Sequence, residues 1–397
     1  MELISNRLAA LSESQTIAMN QKTKELQAQG INVINLTVGE PDFFTPDHIK
    51  EAAKKAVDEN YSFYSPVQGY PDLLDAIVKK FKRENNLEYA TNQIIVSNGA
   101  KHSIANAILA LVNKGDEVIV PAPYWVSYVE QVKLAEGTNV IIDTSIEQNY
   151  KITHTQLEKA ISAKTKALIL CSPSNPTGAV YTKAELKALA EAIAKRPNIF
   201  IIADDIYEHI NYVGGHQSIA QFDFIKERVV LVNGVSKAYA MTGYRIGYMA
   251  APLWLAKACN KLQGQMTTGA SSIAQRAAVA ALNSDQSIVE KFRLAFEKRR
   301  DMVYKAVSEI KGVKCNKPDG AFYVFPDVSS FYGKKIDGHT INNSDNMSLY
   351  LLDKAHISTV PGSGFGYDKC IRISYATSDD NLVEALKRLK LALDKLR

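Results

Sequence analysis

The middle of the chain, from about residue 90 to about residue 250, alternates short apolar runs with longer amphipathic segments. Seven of these runs are rich in β-branched residues and apolar on both faces, which is typical of strands buried between helix layers. The predicted strands are 93–97, 117–120, 140–143, 167–170, 199–204, 229–232 and 246–250. Only about a dozen residues join the last two, which allows one strand to run antiparallel.

Helical patterns fill most of the gaps between these runs. Apolar residues recur at helical spacing over 101–112 and 182–195, and the second segment opens with Thr182-x-x-Glu185, a capping-box pattern. The repeated alternation of strand and helix predicts an α/β domain with a mainly parallel sheet.

The pattern changes after about residue 285. The predicted elements there are helix 286–310, strand 321–325, helix 344–355, strand 370–374 and helix 379–396. This order indicates a smaller α+β domain. We therefore predict a large domain over 46–285, a small domain over 286–397, and an N-terminal segment, 1–45, that packs with the small domain.

Composition narrows the class of protein. Of the 397 residues, 46% are apolar and 22% are charged, as in globular proteins, and no stretch resembles a membrane helix. The start of the chain lacks the features of a signal peptide. The four cysteines lie far apart and the seven histidines show no ligand spacing, so we expect neither disulfides nor a metal site. These features predict a cytoplasmic protein with no membrane partner.

The charge balance is small and evenly spread. The net charge of +5 comes from 47 basic and 42 acidic residues, and basic clusters lie on helical patterns, where a solvated helix face explains them. Because no basic stripe is interleaved with aromatic residues, we expect no nucleic-acid partner. A slightly positive protein also suits small anionic ligands.

Polar side chains follow several predicted strands at their carboxyl ends. Asn175 follows the fourth strand, Asp204 and Tyr207 end the fifth, and Lys237 and Arg245 follow the sixth. Ligands of open α/β sheets bind at this edge, so we expect these side chains to converge. Each residue alone has an ordinary explanation, such as a turn, a helix cap, a core position or a salt bridge. Those explanations do not account for the whole set at successive strand ends.

These residues belong to longer motifs. The motifs are Asn175-Pro-x-Gly178, Asp204-x-x-Tyr207, Ser236-Lys237-x-x-x-x-Thr242-Gly-x-Arg245-x-Gly247 and Arg372-Ile-Ser374. Together, and in this order over nearly the whole chain, they resemble the motif set of class I pyridoxal-phosphate aminotransferases. The segments 36–43, 123–127 and 239–243 are most similar to the bacterial aspartate aminotransferase branch.

The resemblance implies a fold, a cofactor and an assembly. The fold is fold type I, with a large domain whose mostly parallel seven-stranded sheet lies between helices, and a smaller α+β domain. The cofactor is pyridoxal 5′-phosphate. The assembly is a homodimer with shared active sites at the subunit interface.

The resemblance also assigns roles around the cofactor ring. Lys237 would bind the cofactor aldehyde covalently and then move a proton to and from the substrate Cα. Asp204 would keep the pyridine nitrogen protonated, so that the ring can accept electrons. Tyr207 and Asn175 would hydrogen-bond the phenolic oxygen, and Trp125 would stack on the ring.

Phosphate binding is expected at a helix N-terminus. Arg245 and the backbone N–H groups of Gly99 and Ala100 would hold the phosphate, and Tyr64 would reach it from the partner subunit.

One position departs from the family pattern at this phosphate site. Many relatives have a serine three residues before the lysine as a phosphate ligand, whereas this chain has Gly234. Ser236 or a backbone N–H must then take that role.

Substrate binding is expected to use two carboxylate sites. Arg372 would clamp the α-carboxylate, with a backbone contact from Gly39 nearby. Lys101 would face the distal carboxylate, and Ser14 and Thr16 resemble the segment that closes over the same group. A lysine in the first turn of a helix lies at the positive end of the helix dipole, so a compensating anion is expected.

The leading hypothesis is therefore an aspartate aminotransferase that moves the amino group of L-aspartate to 2-oxoglutarate, reversibly and by a ping-pong mechanism. Prephenate, aromatic or alanine substrates are alternatives within the same class. A β-lyase of the same fold is a second hypothesis, which ammonia release would reveal. A non-catalytic module of a regulator is a third, disfavoured because Lys237 is present and little chain precedes Gly39.

Overall fold

The computed structural model describes residues 4–336 and 338–396. The α-helices are α1 Asn6–Ala9, α2 Gln15–Ala28, α3 Asp47–Asp58, α4 Pro71–Asn85, α5 Ala100–Leu111, α6 Ser127–Leu134, α7 His154–Ala160, α8 Lys183–Ala194, α9 Asp223–Lys226, α10 Leu253–Met266, α11 Ser272–Asn283, α12 Ser287–Ser308, α13 Ser344–Tyr350 and α14 Asp379–Asp394. The strands are β1 Ile34–Asn35, β2 Ile94–Ser97, β3 Glu117–Ala122, β4 Thr138–Asp143, β5 Thr165–Cys171, β6 Phe200–Asp204, β7 Val229–Gly234, β8 Gly247–Ala250, β9 Tyr323–Val324, β10 Lys334–Ile336, β11 His339–Ile341, β12 Ile357–Ser358, β13 Val360–Pro361 and β14 Ile371–Ser374.

The central sheet has seven strands in the order β2-β8-β7-β6-β5-β3-β4. Strand β8 runs antiparallel to both of its neighbours, and the other pairings are parallel. The predicted mostly parallel, seven-stranded sheet is therefore confirmed, including an antiparallel strand. The short connection from β7 to β8 turns the chain straight back, because it is too short to hold a crossover helix.

Alternate residues of six of the seven strands belong to two different apolar clusters. The edge strand β4 is the exception, because its Ile141 is 40% exposed, so the predicted burial of 140–143 on both faces was wrong. In β6, Ile201 and Ala203 join the cluster that packs with α4, α8 and α11, whereas Ile202 joins the cluster that packs with α5, α6 and α10. Successive side chains of a strand point to opposite faces, so helices cover both faces of the sheet. This double burial explains why the strands are apolar throughout rather than alternating.

A third apolar cluster lies around a small antiparallel sheet of order β13-β14-β9. Helices α12, α13 and α14 pack there, and Ile34 and Leu36 of the N-terminal segment join them. Strand β1 also pairs in parallel with β12. Helix α1, in contrast, contacts α6 beside the central sheet. The domain limits at 45 and 285 stay a prediction.

One predicted helix changes its form part-way along. The α-helical part of 344–355 ends at Tyr350, and Leu351–Ala355 continue as a π-helical turn. His356 then adopts a left-handed conformation that ends the helix. No helix within residues 4–336 and 338–396 is both long and apolar enough to cross a membrane.

Candidate active site

A cavity of about 280 Å³ opens at the carboxyl ends of β5, β6 and β7. Most of the predicted site residues line it, namely Ser14, Thr16, Gly39, Ala100, Lys101, Trp125, Asn175, Asp204, Tyr207, Ser236, Lys237, Arg245 and Arg372. Gly99 lies directly beside it, against Arg245. Tyr64 is the exception, because it is 94% exposed and does not line the cavity.

Lys237 lies in the cavity three residues beyond the end of β7. Its Nζ donates a hydrogen bond of 2.6 Å to the carbonyl oxygen of Gly39. Burial, together with the charges of Arg245 and Arg372, lowers the lysine pKa to about 8, against opposing effects of Glu40 and Asp204. Among residues 4–336 and 338–396, no carboxylate forms an ion pair with this amine. Its neutral form is therefore accessible near neutral pH, as a nucleophile or a general base requires.

Asp204 is the last residue of β6 and is almost fully buried. Its Oδ2 accepts a hydrogen bond of 2.6 Å from the hydroxyl of Tyr128, and its Oδ1 accepts one of 3.3 Å from the N–H of Ile206. Burial raises the pKa of the carboxyl to about 6, although these two hydrogen bonds act in the opposite direction. Asp204 is thus a carboxylate suited to face an N–H group or a positive charge inside the cavity.

Arg372, on β14, is a buried cation with neutral partners. Only 2% of its surface is exposed, and its Nη groups donate to Asn175 Oδ1 at 3.0 Å and to the Thr37 carbonyl at 2.5 Å. Its guanidinium lies 4.5 Å from the ring centre of Tyr323. Its Nε has no partner within the described chain, and burial lowers its pKa. A buried guanidinium without a carboxylate is a binding site for an anionic ligand.

The N-terminus of α5 forms an anion cradle with Arg245. A Cβ on Gly99, whose φ is +82°, would collide with the Arg245 guanidinium, and a Cβ on Gly247 would collide with the backbone of Ala100. Arg245 donates to the carbonyls of Thr242 at 2.9 Å and Asn98 at 3.3 Å, and no carboxylate of the described residues pairs with it. The Gly99 N–H already donates to the Ser97 carbonyl at 2.7 Å, so its predicted contact with a phosphate stays a prediction. A helix N-terminus beside a guanidinium that no carboxylate pairs with suits a phosphate.

Gly234, where the chain departs from the family pattern, lies in a part of the sheet that has no space for a side chain. Gly234 pairs with Gly247 across β7 and β8, and a Cβ on Gly234 would lie 2.9 Å from the Cα of Gly247 and from the Ile246 carbonyl oxygen. A serine would therefore crowd β8 in this backbone. Ser236 is buried and lines the cavity, and its phosphate role stays a prediction.

Lys101 is a second cation in the cavity wall, in the first turn of α5. Its Nζ lies 5.0 Å from the ring centre of Trp125. Partial burial and the charge of Arg245 lower its pKa. No carboxylate in residues 4–336 and 338–396 pairs with it, although it stands at the positive end of the helix dipole. Lys101 and Arg372 thus give the cavity two cations that lack a protein counter-ion.

The sequence model of the family Aminotransferase class I and II matches residues 31–389. This chain is a member of that family. The motifs at the strand ends therefore predicted the family correctly, and most of their residues meet in the one cavity described above.

Individual relatives match over nearly the full chain. A Petunia hybrida protein named bifunctional aspartate aminotransferase and glutamate/aspartate-prephenate aminotransferase is 48% identical and covers 98% of this chain and 82% of its own. The aspartate aminotransferase of Bacillus sp. (strain YM-2) is 48% identical over 98% of each chain.

Solved structures of other members also match closely. The aspartate aminotransferase of Rhizobium meliloti superimposes with a TM-score of 0.95 at 40% identity, over 99% of both chains. The Thermus thermophilus aspartate aminotransferase with maleate gives 0.93 at 39% identity, over 99% of this chain and 100% of that one.

Two tyrosines of this aminotransferase contact the site and escaped the sequence analysis. Tyr128 bonds to Asp204, and the hydroxyl of Tyr323 lies 2.8 Å from that of Tyr207. A Cβ on residue 39 would lie 2.5 Å from the Tyr323 hydroxyl, so the close approach of Tyr323 to the backbone at this position requires Gly39. The spacing of Tyr128, three residues beyond Trp125, gave no helix-face signal, because Trp125 precedes α6, which begins at Ser127. Nothing in the predicted strand 321–325 showed which face meets the cavity.

The lowered pKa of Lys237 predicts a specific labelling profile. In protein freed of bound small molecules, acylation of the Lys237 amine should rise with pH to a midpoint near 8, because only the neutral amine reacts. Pulse labelling followed by peptide mass spectrometry measures this rate. The same lysine in the urea-unfolded chain is the control and should titrate near its ordinary value of about 10.4. Equal midpoints in the folded and unfolded chains would show that the fold does not lower the pKa of Lys237.

Proposed function

We propose that this aminotransferase uses pyridoxal 5′-phosphate to transfer the amino group of L-aspartate to 2-oxoglutarate, reversibly and by a ping-pong mechanism. The observation that carries the proposal is one cavity holding a lysine amine of lowered pKa and two cations without protein counter-ions, Arg372 and Lys101. An amino acid with two carboxylates supplies two matching anions. The names of the two relatives and the maleate named with the Thermus structure support a dicarboxylic substrate.

The residues present fit pyridoxal phosphate. The collision that a Cβ on Gly99 would cause shows how closely α5 and Arg245 approach, and these groups would hold the phosphate. Asp204 would pair with the ring nitrogen, and Trp125 would cover a ring face. Tyr207 and Asn175 would hydrogen-bond the phenolic oxygen. When bound, the cofactor supplies an aldehyde that accepts the amino group and a ring that accepts the electron pair released at Cα.

The side chains of this protein bind, orient and move protons. The Lys237 amine would remove the proton from the substrate Cα and pass it to the carbon that receives the amino group. The second half of the cycle would reverse this transfer and deliver a proton to the Cα of the new amino acid. The lowered pKa of Lys237 makes the neutral amine available for this transfer. Arg372 binds the α-carboxylate and orients the Cα–H bond, because its present partners, Asn175 and the Thr37 carbonyl, leave its positive charge uncompensated.

Lys101 recognises the distal carboxylate. Its amine lines the same cavity as Arg372 but lies against a different wall, over the ring of Trp125. Ser14 and Thr16, at the start of α2, close the cavity near it. A carboxylate at this point would be a second anion, beside the phosphate, near the positive end of α5.

Prephenate is the second candidate substrate, because the cavity continues past Lys101. An adjoining space of about 620 Å³ shares Ser14, Lys101 and Ser127 with it. Prephenate also has a second carboxylate but carries a bulkier side chain, which this space can admit. The Petunia relative is named for both activities.

We also propose a homodimer with shared sites. Tyr64, Phe63 and Phe44 are large aromatic residues that are at least 80% exposed in the single chain. Monomeric proteins rarely expose such residues together, and a second copy of this chain would cover them. Tyr64 would then reach the phosphate of the partner's site. Its place outside its own cavity agrees with that role.

The cellular location proposed for this enzyme is the cytoplasm. The four cysteines are all free thiols, two of them buried. Unpaired thiols are the normal state in a reducing compartment.

Product analysis tests the proposed reaction. Protein loaded with pyridoxal phosphate should convert aspartate and 2-oxoglutarate into equal amounts of oxaloacetate and glutamate. Lys237→Ala should abolish this turnover, since general acid–base catalysis alone contributes about 10²–10⁴-fold. Release of stoichiometric ammonia without formation of glutamate would contradict the proposal and indicate a β-lyase instead. Transfer of the aspartate amino group to prephenate in preference to 2-oxoglutarate would favour the second candidate.

Lys101→Ala tests the distal carboxylate site. A charge-assisted hydrogen bond contributes about 1.5–3 kcal/mol, so kcat/KM for aspartate and glutamate should fall roughly 10- to 150-fold. Activity with alanine or phenylalanine should change little, because neither has a second carboxylate. Lys114→Ala, at an exposed lysine beyond the other end of α5, is the matched control. An equal loss on acidic and neutral substrates would assign Lys101 to the phosphate cradle instead.

Subunit mixing tests the shared site. Tyr64→Ala chains should have low activity at limiting cofactor, because a lost hydrogen bond to phosphate weakens cofactor binding by roughly 10- to 150-fold. Lys237→Ala chains should be inactive, because they lack the catalytic amine. In a mixed dimer, one site combines an intact Lys237 with an intact Tyr64 of the other chain. Random mixing should therefore restore about a quarter of the sites. No recovery on mixing, despite exchange of chains, would place Tyr64 outside the partner's site.

A further inference from the structure

Tyr128 connects the helix layer to the end of β6. It lies in the first turn of α6, is 2% exposed, and packs in the apolar cluster with α5 and α10. Its ring meets that of Trp125 edge to face, with centroids 5.3 Å apart. Its hydroxyl donates the 2.6 Å hydrogen bond to Asp204 Oδ2. Packing on the ring thus fixes where the hydroxyl points.

Besides Tyr128, the Ile206 N–H and Lys237 favour the negative charge of Asp204, whereas burial and Asp205 oppose it. Burial is the largest such effect, and the adjacent Asp205 adds a like charge that its own contact with His216, at 2.9 Å, offsets only in part. From the neighbouring strand β5, Cys171 contributes a thiol that burial keeps neutral. Lys237, beyond β7, is a cation that favours the charged form.

Tyr128 is the remaining polar side chain that faces Asp204. Its pKa is raised well above 10 by burial and by Asp204, so the phenol keeps its proton and acts as a neutral donor. A neutral donor stabilises a carboxylate without adding a charge that a ligand would have to displace. With Oδ2 engaged, the remaining lone pairs of the carboxylate are left for a donor in the cavity.

We propose that Tyr128 is a positioning residue that holds Asp204 as an oriented carboxylate at neutral pH. The link to catalysis rests on the proposed role of Asp204 opposite the cofactor ring nitrogen. Tyr128 does not itself touch the reacting atoms. It acts through Asp204, by fixing both the charge and the direction of that carboxylate.

The variant Tyr128→Phe removes only the donor and keeps the ring against Trp125. A hydrogen bond to a charged group corresponds to about one to two pKa units, so the Asp204 pKa should rise from about 6 to about 7–8. In the loaded enzyme, kcat for aspartate should fall at neutral pH. The acidic limb of the pH profile of kcat should shift to higher pH by roughly one to two pH units, whereas KM should change little.

Stability of the full chain freed of cofactor gives a readout that does not depend on activity. Because the folded-state pKa of Asp204 lies above the unfolded value of about 3.9, ionising it destabilises the fold. This loss should be nearly complete near pH 7 in the wild type. In Tyr128→Phe it should continue to about pH 8–9, at about 1.4 kcal/mol per unit of pKa shift. Urea unfolding between pH 5 and 9 measures the difference.

Two controls isolate the contact. In an Asp204→Asn background, Tyr128→Phe should lose its pH-dependent effect, because the titrating group is gone. Tyr181→Phe removes another buried hydroxyl, whose hydrogen-bond partner is the Ile152 N–H and not a carboxylate, and should cost stability nearly equally at every pH. These outcomes support the proposal.

Two results would overturn it. Tyr128→Phe could destabilise the chain equally at all pH values, which would make the hydroxyl a packing contact only. A pH-dependent effect that persists without Asp204 would assign the titration to another group. Failure of aspartate turnover would reject the proposed function instead, and the unfolding measurements would still decide the role of Tyr128.

Discussion

The parallel register of β5, β6 and β7 is the constraint on which the site depends. Cys171 pairs with Asp204, and Asp204 pairs with Val232, so the three strands end at nearly one level of the sheet. The chain segments that follow them bring Asn175, Tyr207 and Lys237 to the same edge. A shift of one residue in this register would turn Asp204 away from the cavity, because successive strand residues face opposite sides.

The cations at this edge of the sheet lack a carboxylate partner among the described residues, whereas the buried Lys80 forms ion pairs. Behind the site, Lys80 forms ion pairs with Glu84 and Glu208, and His209 contacts both carboxylates. Burial raises the pKa of Glu208, but Lys80 and the nearby histidines lower it below its usual range. Such a network satisfies its own charges. In the cavity, Arg372 and Lys237 meet neutral carbonyls and amides instead, so their charges remain available to a ligand.

Close backbone approach is the other requirement of the site. Gly99 allows the Arg245 guanidinium to lie against the start of α5, and Gly247 allows β8 to lie against Ala100. A side chain at Gly234 would crowd the same region from β7. The phosphate cradle is therefore built by the absence of Cβ atoms as much as by donors, and one of these glycines, Gly247, stands within the motif that begins at Ser236.

The sequence by itself determined the elements and the chemistry. Doubly buried strands have to be apolar on both faces, and Thr182 and Glu185 mark a helix start through contacts only three residues apart. The residues of the site also stood at predicted strand ends. Tertiary structure alone decided which wall Lys101 lies against, that Tyr128 and Tyr323 reach the site, and that Gly234 faces Gly247. Those contacts join residues distant in the chain, and periodicity shows that a face is buried but not what it meets.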